Sequence, residues 1–128
     1  MKQIKFDSGI RSFKVNDNGV LRFNPSDPNL YNRFMESVEK IQAVEEKLIQ
    51  DAKMQNAENS ENHGELVLQI LKNADKEVKK ILTEVFGKEN DFDQIFEDVN
   101  MLAVGSNGER VITNFLNALL PVFQEGIQ

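Results

Sequence analysis

The 128-residue chain contains no cysteine, which removes disulfides, thiolate nucleophiles and cysteine-based zinc sites together and fits a reducing cytoplasm. It has one histidine, His63, so no second imidazole can share a metal with it. Prolines are confined to positions 25, 28 and 121, leaving long stretches with nothing to break a helix. No run approaches the ~18 apolar residues of a membrane span. The opening Met1-Lys2-Gln3-Ile4-Lys5-Phe6 lacks the continuous apolar core of a signal peptide. These absences predict a soluble cytoplasmic protein. Basic residues are outnumbered: 15 Lys and Arg face 21 Asp and Glu, a net charge of −6. That balance argues against duplex nucleic acid as a partner, since its binding needs a cationic footprint.

Catalytic motifs are missing as well. Asp91-Phe-Asp93 begins like a calcium loop, but Ile95 and Phe96 stand where an oxygen ligand and a glycine are needed. Gly105-Ser-Asn-Gly108 lacks the Lys-Ser/Thr ending of a phosphate-binding loop. One histidine in a polar loop, and carboxylates without a nucleophile motif, give no catalytic centre to organise around. The expectation is a protein that is not an enzyme and needs no cofactor or metal.

What the chain does contain is helical periodicity. Tyr31, Phe34, Val38, Ile41, Leu48 and Ala52 recur at spacings of three and four, and Leu30, Met35 and Val44 widen the stripe. With Asp27 as N-cap and Pro28 at the first helical position, this predicts a helix over 28–54, about 40 Å long. Residues 55–64 have no large apolar side chain and read as an exposed loop. Val67, Ile70, Leu71, Ala74, Val78, Ile81, Leu82 and Val85 mark a second helix over 65–86, ended by Gly87, with an Asp75–Lys79 pair on its wet face. Asn90–Val99 reads as a shorter helix burying Phe92, Ile95, Phe96 and Val99. Glu109–Gln124 is the last helix, with a kink or early end near Leu120 expected from Pro121.

Ahead of these lies a β region. Residues 2–7, 11–16 and 20–23 alternate apolar and polar side chains, and Asn18-Gly19 carries the signal for a type I′ hairpin turn. The fold class expected is therefore α+β: one domain over 1–128, with a short N-terminal antiparallel meander or hairpin packed on about four helices. Charge is uneven along it. Residues 1–23 hold five basic and two acidic side chains, a net of +3; residues 84–109 hold seven acidic and one basic, a net of −6. This asymmetry could orient contacts between copies of the chain or attract a basic segment.

The string Phe13-Lys-Val-Asn-Asp-Asn-Gly-Val-Leu-Arg-Phe-Asn-Pro-Ser-Asp-Pro-Asn-Leu-Tyr-Asn-Arg-Phe34 resembles a family of small phage and prophage proteins. So do Gly87-Lys-Glu-Asn-Asp-Phe-Asp-Gln-Ile-Phe96 and Asn107-Gly-Glu-Arg-Val through Leu119-Leu-Pro-Val-Phe123. These proteins look like the tail assembly chaperones of long-tailed phages and of prophages in Gram-positive bacteria. The resemblance covers most of the chain and is weakest over 55–64 and the lysine-rich helix. It implies a chaperone that binds the tape measure protein, or other tail proteins, and keeps that long helical chain soluble during assembly, with homo-oligomers along the client. A tail or connector protein forming a ring in the virion is the alternative. The candidate partner-binding residues are Tyr31, Phe34, Leu120, Val122 and Phe123, each of which could equally belong to the core.

Overall fold

The computed structural model describes residues 1–58 and 63–127. Its β region is a two-stranded hairpin. Strands β1 (Arg11–Val15) and β2 (Gly19–Phe23) pair antiparallel, with Arg11 opposite Phe23, Phe13 opposite Leu21 and Val15 opposite Gly19. Alternation buries Leu21 and Phe23 and turns Val20 and Arg22 outward. The strand expected over 2–7 does not form. Asn24 Nδ2 donates to the Ser8 carbonyl, and Gly9, at φ +76°, donates to Asp7 Oδ1. This holds the chain beside Asn24, past the end of β2, and does not fold it back along β1. The turn also differs from the type I′ expected. Asn16, at φ 50°, takes the left-handed conformation, whereas Gly19 pairs within β2 at negative φ. Gly19 is required for space: a Cβ there would lie 2.5 Å from the Ile95 carbonyl oxygen.

Helix α1 (Pro28–Glu58) starts as the sequence predicts, with Asp27 Oδ1 accepting from the Asn29 amide, but runs four residues past Met54. Helix α2 (His63–Phe86) lies antiparallel to it, so that Arg33 Nε reaches the Val85 carbonyl at 3.2 Å. Residues 59–62 of the expected loop lie outside the described residues, and the rest of 55–64 belongs to these two helices. Gly87, at φ +103°, ends α2 by donating to the Thr83 carbonyl.

The expected helix over 90–99 shrinks to a single turn, α3 (Phe92–Ile95), capped by Asp91 and not by Asn90. Glu97 and Asp98 then take positive φ, and the Asp98 amide closes on the Asp93 carbonyl, so Val99 is left exposed. Helix α4 (Val111–Ile127) passes through Pro121 without ending. Pro121 and Asn117, whose carbonyl loses its partner, both face solvent, where water can satisfy that carbonyl.

The core gathers at one end of the helix pair. Phe123 of α4 meets Phe34 at 4.7 Å, Tyr31 at 5.6 Å and Phe23 at 5.6 Å between ring centroids, and Phe23 continues to Phe86 at 5.1 Å. Aromatic pairs at such spacings add to simple area burial. Met101 and Leu102 are drawn in beside them by backbone bonds: Asp75 Oδ1 accepts the Met101 amide at 2.7 Å, and the Arg110 guanidinium donates to the Leu102 carbonyl at 2.7 Å.

Candidate functional site

A concavity of about 710 Å³ runs between α1 and α2. Val44 and Leu48 of α1, with Ile70, Ala74 and Ile81 of α2, form its floor. They are members of the two apolar stripes, and the antiparallel crossing brings them face to face. Lys40, Lys47 and Asp51 stand on one rim, and Glu77, Lys80 and Glu84 on the other. None of these six forms an ion pair among the described residues, where the pairs found join Lys79 to Asp75 and Asp93. Lys40 to Asp51 covers about 16 Å of helix axis at 1.5 Å per residue, room for some three turns of a partner helix.

Apolar side chains also stand off the two stripes. Ile49 and Met54 on α1, and Leu66 and Leu68 on α2, are exposed. Leu66 and Leu68 fall outside the spacing of the α2 stripe. Their position off the stripe is the sequence signal that they have no core to enter.

A second cleft, of about 530 Å³, lies between the hairpin and α4. Phe13, Val15, Phe115, Leu119 and Val122 line its apolar wall.

The expected contact residues separate. Phe34 and Phe123 are each 1% exposed and belong to the aromatic core, where no partner can reach them in this state. Tyr31 is half-buried against Phe123. Val122 lines the second cleft, and Leu120, two residues before it on α4 and 42% exposed, faces solvent. The five are therefore not one surface.

The electrostatic feature of the molecule lies elsewhere. Lys79, expected on the wet face, is only 8% exposed, and its Nζ bonds Asp75 Oδ2 at 3.0 Å and Asp93 Oδ1 at 2.9 Å. Burial works against its charge, but the bonds to Asp93 and Asp75 and their negative charges together outweigh it, so its pKa rises above 10.5. This cluster ties α3 to α2 and is structural. Among the described residues no group of three His, Cys, Asp or Glu side chains could hold a metal, and no helix is long and apolar enough to cross a membrane. The groove floor carries no titratable group, so what this arrangement can do is hold an apolar surface between charged rims.

No protein-family model, curated protein or solved structure matches the chain.

Proposed function

We propose that the chain is a non-enzymatic assembly chaperone of the phage tail type, acting in the host cytoplasm and holding helices of a long tape-measure-like client in the α1–α2 groove. The observation that carries this reading is the groove itself: an apolar floor about three turns long, flanked by charges of both signs that form no ion pair among the described residues. An amphipathic helix buries its stripe in such a floor and sets its own charges against the rims. The exposed Leu66, one turn before Ile70 on the groove side of α2, extends the apolar surface at that end. The family part of the proposal rests on the resemblance of the strings at 13–34, 87–96 and 107–123. The overall charge of −6 would keep a coated client dispersed.

A connector ring would need the acidic 84–109 segment of one copy to meet the basic N-terminal sheet of the next. In this fold that segment packs on its own hairpin: Asn90 bonds the Arg22 backbone, and Asn18 bonds Glu97. Co-expression with a tape measure fragment, read by size-exclusion chromatography with light scattering, tests the two. A soluble complex, lost when Ala43→Trp fills the groove from its exposed rim, supports the chaperone. A fragment that stays insoluble, while the protein elutes alone as a discrete ring, supports the connector.

A further inference from the structure

The hairpin has two edges, and they are treated differently. On the β2 side, Asn90 Oδ1 accepts the Arg22 amide at 2.9 Å, and Asn90 Nδ2 donates to the Arg22 carbonyl at 2.9 Å. One buried side-chain amide thus makes the pair of bonds that a third strand would make. It also fixes the pleat. The Arg22 backbone groups point away from β1, so Arg22 and its partner Ser12 are a non-hydrogen-bonded pair. The ladder is then made by Arg11, Phe13 and Val15, and the amide and carbonyl groups of Ser12 and Lys14 point outward from β1. Among the described residues nothing bonds them, and both side chains are exposed. Such an edge is a template for another strand.

The same chain carries a segment suited to it. Residues 1–6 make no hydrogen bond among the described residues, and Ile4 and Phe6 are 88% and 80% exposed. In a strand they would share one face, with Gln3 and Lys5 on the other. A strand laid on the β1 edge would place such a pair beside Phe13 and Val15, at the mouth of the cleft against α4. The tie of Ser8 to Asn24 holds the segment away from its own β1.

We propose that residues 2–7 of one copy add as a strand to the free β1 edge of a second copy, with Ile4 and Phe6 seated over the cleft between the hairpin and α4. The inference is independent of the groove. Two variants disable the two halves separately. Ile4→Asp with Phe6→Asp removes the apolar face of the donor at positions that contribute nothing to the core. Lys14→Pro removes an outward amide of the acceptor edge and leaves the bonds of Arg11, Phe13 and Val15 intact. Circular dichroism and thermal melting of each variant confirm the fold.

Analytical ultracentrifugation of the full chain then gives the test. The native protein should self-associate as concentration rises, and each variant alone should associate at least about tenfold more weakly. Mixing the two variants should restore one intact donor and one intact edge, giving 1:1 heterodimers that do not grow. The proposal is overturned if the native protein stays monomeric into the millimolar range, if the Ile4→Asp/Phe6→Asp variant associates like the native protein, or if the mixture remains monomeric.

Discussion

The two ends of the α1–α2 pair are built from the same kind of sequence and end in different states. Near the start of α1 and the end of α2, the stripes meet the hairpin, α3 and α4, and Phe34, Ile41, Val78, Leu82 and Val85 are buried. Toward the end of α1 and the start of α2 only the partner helix is available, and Ile49, Met54, Leu66 and Leu68 stay in water. Burial therefore follows the stripes, and apolar residues placed off them stay in water where no further element arrives to cover them. A helix pair can cover one stripe each. Further apolar residues need a third layer, and only one end has it.

The sharpest test of that contrast is Phe123→Ala. It removes the ring shared by Phe23, Tyr31 and Phe34 and should cost about 3–5 kcal/mol in urea denaturation. If the loss were below about 1 kcal/mol, the aromatic cluster would not be the stabilising end. Next, Asn90→Ala strands the Arg22 amide and carbonyl and the Phe86 carbonyl. A loss of about 2–3 kcal/mol is expected from the same measurement.

A smaller effect should appear with pH. The Lys79 pKa is raised in the folded state, so its contribution is fully present below 10.5 and is lost as pH rises through the higher folded value. Denaturation profiles taken across that range should decline more steeply for the native protein than for Lys79→Met. At the far end, Leu66→Glu, on the groove side of α2, should change stability by less than about 0.5 kcal/mol. Under the proposed function it should still weaken client binding, and an equal affinity would detach that end from the function.

Much of this was legible in the sequence. The α+β class, the Asp27 cap, the Gly87 stop and nearly every buried position of α2 follow from local spacing. What escaped depended on residues distant in the chain. Asn90 reads as a helix cap, yet it is used to close the edge of β2, 68 positions away. Asn18-Gly19 reads as a turn, yet Gly19 serves the approach of Ile95. The Ile4 and Phe6 alternation is a strand pattern without a strand, because no local signal shows whether a pairing edge lies within reach. Among the candidate contacts, Phe34 and Phe123 were core because α4 returns to the start of α1, a tertiary fact that neither helix states alone.

The one-sided closure of the hairpin has a consequence for stoichiometry. Under the proposed strand addition, with Asn90 occupying one border, each molecule offers one vacancy among its described residues and, in residues 2–7, one plug. Units with one of each have a valence of two. Whatever they build can lengthen or close on itself, but it cannot branch.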